Sequence, residues 1–340
     1  MKRTIRQLIS ITSLFLLVFV FTSTADAAAR QVRLSIFHSP DFFLTEAYAR
    51  IVDRVNKECK GEIEITLYPA NQLGSYEQVF QEVMRGTIEM CGNYPTSRFS
   101  KKFDIASMPG LARDANDVKK LLLKDSPFTK YLKEIYEKDC GVVYLGSFFE
   151  AFMTTAMAKG KDVADPFNPN TNKKRIIRVV PVPAWREWFL AMGYQIATIP
   201  FAEVFSSMQT GIIDGNSGSG PEAAYKTLKD VMGSLIEFNT PFVTNDFVIN
   251  KNVWESFSPK VRNSITKAFE DEQNKVFVQA VESHKKYIKA IKDAGIKVVS
   301  PTPKDAEVMV KVAKEKAWPV AYKVMGKEIF IEIQNYLKKK

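Results

Sequence analysis

The stretch Glu62–Tyr94, EIEITLYPANQLGSYEQVFQEVMRGTIEMCGNY, decides the fold class. Residues 62–69 alternate apolar and polar with the period of two that a half-buried strand requires. ANQLGS then turns the chain, the spacing from Tyr76 to Arg85 predicts a helix, and Gly86 stops it. TIEMCGNY (87–94) returns as a strand. Upstream, RLSIFH (33–38) reads as a strand, and Thr45–Cys59 as an amphipathic helix with Ala47, Ile51, Val52 and Val55 on one face. The order β-α-β-α-β is the rhythm of a parallel, doubly wound sheet.

The rest of the chain repeats this rhythm. A helical stretch is predicted over Asp114–Lys138, followed by a long strand, GVVYLGSFFEAF (141–152). KDVADPFNPNTNKK (161–174) reads as a surface loop between lobes. Strand Ile176–Val180, helix Trp185–Met192, strand Gln195–Thr198 and helix Phe201–Gln209 follow, then a turn and strand in TGIIDGNSG. Beyond Phe247–Asn250 a helical pattern runs from Ser258 to about Ala294. At about 1.5 Å per residue this helix exceeds 50 Å, enough to span two domains. Two α/β lobes with crossing segments describe a clamshell, with its ligand in the cleft at the carboxyl ends of strands.

Composition narrows the function. The chain has 340 residues, 46% of them hydrophobic and 25% charged, which is ordinary globular material. Lys2, Arg3 and Arg6 precede an apolar run from Leu8 to Phe21, and Ala25-Asp26-Ala27 supplies a cleavage site. This is a secretory signal over residues 1–27, so the mature protein is expected in the periplasm. The net charge of +10 is spread along the chain rather than gathered in a stripe, which argues against a nucleic-acid partner and for small anions. Cys59, Cys91 and Cys140 are too widely spaced for a disulfide framework, although one pair is possible in an oxidising compartment. With only His38 and His284, and no CxxC or HExxH, neither a metal site nor a cofactor is expected.

A second stretch, RIIRVVPVPAWREWFLAMG (175–193), raises the question of function. Arg178 stands inside a strand-like segment, where a charge needs either an internal Asp or Glu partner or an anionic ligand. IRVVPVPAWREWFLAMG resembles a block of the solute receptors of tripartite ATP-independent periplasmic (TRAP) transporters, the DctP type. IPFAEVFSSMQTGIIDG (199–215), the stretch 62–90 and FVINKNVWESFSPKVRNSI resemble three further blocks of that family, in the same order. The resemblance covers essentially the whole mature chain. It implies a two-lobe periplasmic-binding-protein clamshell of α/β class with a long helix spanning both lobes. Residues 28–152 and 241–283 would form one lobe, and 153–240 and 284–340 the other.

The resemblance also implies that Arg178 binds the solute's carboxylate, a task suited to a planar guanidinium fork. Phe201 would pack on the ligand, and Tyr94 and His38 would line the cleft from strand ends. Two departures stand out. Met153 occupies the place of a second family arginine, and Gly218 that of a ligand-binding asparagine, with Asn216 or Ser219 as substitutes. Together with Phe149 and Trp185 these changes predict a less polar pocket, favouring monocarboxylates with an apolar body over dicarboxylates. A monomeric receptor handing a small organic acid to TRAP membrane subunits is the first reading. A secreted hydrolase is the alternative, with a ligand-sensing partner of a signalling receptor behind it. GNSGSG (215–220) lacks the pattern of a phosphate loop and reads better as a turn, no GxSxG elbow occurs, and neither histidine has a recognisable acid partner.

Overall fold

The computed structural model describes residues 28–339, so the signal read at 1–27 lies outside the described residues. Among the described residues eleven strands form two sheets. The first contains β1 (Arg30–Ser35), β2 (Ile63–Tyr68), β3 (Met90–Asn93), β4 (Val142–Phe152) and, from later in the chain, Phe242–Asn250. The second contains β5 (Thr154–Ala158), β6 (Ile176–Arg178), β7 (Gln195–Ala197), β8 (Gly215–Ser219) and β9 (Met232–Ile236). With Phe242–Asn250 as β10, the last strand of the second sheet is β11 (Lys297–Val299).

The five-stranded sheet has the order β2-β1-β3-β10-β4, and the six-stranded sheet β11-β9-β5-β8-β6-β7. β1 pairs parallel with β2 and β3, as the βαβ rhythm predicts, but β10 enters antiparallel between β3 and β4. The second sheet is likewise mixed, with β5 antiparallel to β8 and β9. Each antiparallel strand lies where the chain passes between sheets. β4 and β5 are separated by Met153 alone, whose N–H donates to the Pro241 carbonyl at 3.0 Å just before β10. Two crossing strands are thus tied together at one point.

The third connection is the helix Pro259–Asp293, started by a Ser258 cap whose hydroxyl accepts from the Val261 N–H. Its buried face carries Val261, Ile265, Ala268, Phe269, Val276 and Ala280. That face lies against helix Phe43–Glu58 and β4, then against helix Pro221–Leu228 and β11. The helix therefore spans both lobes. No helix among the described residues is long and apolar enough to cross a membrane.

Local chemistry explains where the elements differ from expectation. The segment 114–138 is two helices, Ala115–Leu121 and Pro127–Asp139, because Ser126 caps the second through the Thr129 N–H and Pro127 cannot continue the first. The loop 161–174 joins β5 to β6 within one sheet, so it does not run between lobes. Phe201–Glu203 forms a 3-10 turn before helix Val204–Thr210. GNSGS (215–219) is strand β8 rather than a turn. The C-terminal helix Glu328–Lys338 packs on helices Ala115–Leu121 and Pro127–Asp139, against the five-stranded lobe rather than the six-stranded one.

Candidate functional site

Arg178 ends β6 at the carboxyl edge of the six-stranded sheet, in register with Ala197 on β7 and Asn216 on β8. It is 5% exposed. Its Nε donates to the Ile199 carbonyl at 3.1 Å and its Nη1 to Asn216 Oδ1 at 3.4 Å. Among the described residues no carboxylate pairs with it, so the internal ion pair left open by the sequence is not made. Burial lowers its pKa to about 10, and neighbouring Tyr76 partly offsets this. Asn216 is fully buried and donates through Nδ2 to Ser219 Oγ at 3.2 Å, which fixes its amide oxygen toward the guanidinium. Asn216 and Ser219 thus stand behind Arg178 as supports. The Phe201 ring lies 5.8 Å from the guanidinium carbon and is 44% exposed at the lip.

Gly218 opens the way to this group. Its φ of +127° disfavours any side chain, and a Cβ there would stand 3.2 Å from Arg178 Nη1 and 3.3 Å from Val180 Cγ1. An asparagine at this position would strain the backbone and fill the approach to the guanidinium. In front lies a cleft cavity of about 610 Å³ including its open mouth, walled by Met153, Trp185, Val180 and Gly218. Tyr76, Tyr94 and Thr244 add polar groups. Trp185 Nε1 is buried and has no hydrogen-bond partner among the described residues.

The facing wall belongs to the five-stranded lobe. Tyr94 follows β3 and His38 follows β1, and both reach Glu150 on β4. The Tyr94 hydroxyl is 2.7 Å from both Glu150 oxygens, and His38 Nε2 is 3.2 Å from Oε2. Burial, then the nearby carboxylate, raises the Tyr94 pKa. His38 stacks on Phe42 with centroids 4.2 Å apart. Phe149 is a correction to the expected set. It is buried against Phe152 and Phe277 and is not among the residues lining the cavity; the β4–β10 register slips between Phe149 and Ala151, so simple alternation does not place its side chain. Tyr76, Glu150 and Thr244 were not anticipated. Tyr76 passes in sequence as the start of a helix, and Glu150 as an ordinary strand acid.

Both histidines do have acid partners, contrary to expectation. His284 Nε2 lies 3.0 Å from Glu237 Oε1, as His38 does near Glu150. Neither ring hydrogen-bonds a serine or cysteine among the described residues, so the His–nucleophile pair of a hydrolase is not formed there. The three cysteines are buried and free, and burial pushes the Cys140 thiol up to about 12.

Comparison with known proteins fits this architecture. The profile of "Bacterial extracellular solute-binding protein, family 7" (DctP) matches residues 34–322. The 2,3-diketo-L-gulonate-binding periplasmic protein of Escherichia coli is 24% identical over 304 residues, covering 86% of this chain and 88% of its own. A TRAP periplasmic solute binding protein from Desulfovibrio salexigens, with bound orotic acid, matches with a TM-score of 0.81 at 19% identity, covering 90% of this chain and 98% of that one. Another from Haemophilus influenzae, with bound L-gulonate, gives 0.79 at 22% identity, covering 90% and 99%. The matched span takes in both crossing strands, the long helix and the whole cleft around Arg178, and the chain belongs to the family of bacterial extracellular solute-binding proteins, family 7.

Proposed function

We propose that this protein is a periplasmic receptor that holds a small monocarboxylate in the interlobe cleft and delivers it to the membrane subunits of a TRAP transporter. One observation carries the reading: a buried guanidinium whose protein partners are two neutral acceptors. Guanidinium has five N–H donors, and a desolvated cation without a counter-ion is costly until an anion arrives. A carboxylate accepts two parallel bonds from it. Orotic acid and L-gulonate, bound in the two solved relatives, are both carboxylic acids, which supports the same chemistry here. Met153, Trp185 and Phe201 favour an apolar body on the ligand.

The signal read at 1–27 supports export with cleavage near Ala27, and we take the exported receptor to be a monomer. The lobes would divide at 152/153 and 240/241 and within the long helix near 283, with the last helices bracing both, and they would close on the ligand. Isothermal titration with the tightest acid found by a thermal-shift screen tests the role of Arg178. Arg178→Ala should lose on the order of 2–5 kcal/mol of binding, and Arg178→Lys should recover only part of it. Binding within threefold of wild type, in a variant with an unchanged melting temperature, would overturn the assignment.

A further inference from the structure

The two walls of the cleft carry opposite chemistry. On one side is Arg178, a donor-only cation. On the other is Glu150, 5% exposed, held by Tyr94 and His38 and paired with no lysine or arginine among the described residues. Tyr94 couples this buried acid to the cavity, because Tyr94 lines it while its hydroxyl proton is committed to Glu150. What Tyr94 then offers a ligand is oxygen lone pairs. The cavity lining contains no lysine, arginine or histidine, the Arg178 guanidinium stands just behind Gly218, and Met153 leaves that wall apolar. A second carboxylate reaching Tyr94 would meet an acceptor oxygen backed by a buried acid, with no lysine or arginine among the lining residues.

We infer that the Tyr94–Glu150 pair is a second recognition pole, selecting a monocarboxylate that carries a hydrogen-bond donor, hydroxyl or ammonium, at its far end and rejecting diacids. This rests on the carboxylate-receptor reading of Arg178. Discrimination arises from both poles together: the correct ligand gives a donor to the Tyr94 oxygen that Glu150 backs, whereas a diacid sets a carboxylate against an oxygen backed by a carboxylate.

The test uses matched ligands that differ only at the far end. Suitable sets are succinate, 4-hydroxybutyrate and 4-aminobutyrate; the corresponding five-carbon acids; and terephthalate with its 4-hydroxymethyl- and 4-aminomethylbenzoate counterparts. Affinities are measured by titration on wild type, Glu150→Gln, Tyr94→Phe and Arg178→Ala. In the set that binds best, the hydroxy or amino member should exceed the diacid by at least tenfold, and which one leads assigns the charge of the donor. Glu150→Gln should shrink that ratio at least fivefold, and Tyr94→Phe should shrink it too while leaving the diacid unchanged or tighter. Diacids that bind as well as the donor-bearing acids, with binding still lost in Arg178→Ala, overturn this inference and leave the receptor reading standing. A ratio unmoved in both Glu150→Gln and Tyr94→Phe also overturns it. Silence of all the acids, or binding indifferent to Arg178→Ala, overturns the receptor reading and the inference with it.

Discussion

Arg178 and Asp246 are both buried charges on strands, yet they are treated in opposite ways. Asp246 on β10 is fully buried and accepts from Tyr136 at 2.9 Å and from Ser147 at 2.7 Å, with Tyr144 bonded to Ser147 behind it. Arg178 donates hydrogen bonds to a backbone carbonyl and one amide oxygen alone among the described residues, with the Phe201 ring beside it. Burial disfavours the charged form of each, raising Asp246 to about 6 and lowering Arg178 to about 10. One charge is enclosed by donors that the fold supplies, and the other faces space that the fold leaves open. Incomplete satisfaction, more than burial, separates a binding charge from a structural one.

Substitutions can break this contrast. Asp246→Ala should cost on the order of 3–5 kcal/mol of stability, because two buried hydroxyls lose their acceptor, whereas Arg178→Ala should leave the melting temperature of the empty protein unchanged or raised. Equal melting losses in the two variants would erase the distinction. The pH dependence sharpens it. Because the folded carboxyl is raised from 3.8 to about 6, the unfolded chain releases this proton first. The contribution is therefore fully present below pH 4 and is lost as pH rises toward 6, amounting to about 3 kcal/mol. Urea unfolding of wild type and Asp246→Asn should show the variant gaining that much relative stability between pH 3.5 and 7; a constant difference would contradict it.

Smaller effects probe the surroundings of Arg178. Asn216→Ala removes the amide that orients the guanidinium and should weaken acid binding by about 1 kcal/mol in titration. Phe201→Ala should cost about 0.5–1 kcal/mol of binding, since the ring is partly exposed and its attraction to the cation is screened. A Phe201→Ala loss larger than that of Arg178→Ala would place the main anchor at the lip instead.

Much of this fold was legible because its signals are local. The period-two run at 62–69, the Ser75 cap with Gln78 at its third position, and Gly86 in a left-handed conformation fix a strand and a helix without outside help. The antiparallel entry of β10 was not legible, because pairing across some ninety residues or more leaves no periodic trace. The break at Ser126-Pro127 carried a visible signal that went unused. At the site, Arg178 was anticipated because a charge within a strand is anomalous. Glu150 was missed because the anomaly of its burial exists only after Tyr94 and His38 fold onto it. Phe149 was misplaced because the slip in β4–β10 pairing beside it leaves no mark in the sequence.

The position of β10 also sets a schedule. It is the inner strand that joins β3 to β4, yet it is made some ninety residues after β4. Until it arrives, the first sheet is a three-stranded fragment with β4 unattached, and two strand edges stand bare. Contacts this distant in sequence close slowly. The amino-terminal half of the chain therefore cannot complete its lobe as it is synthesised, and a fragment ending at residue 241 should be digested by protease under conditions that spare the full chain. Late completion keeps the growing polypeptide threadable for most of its length.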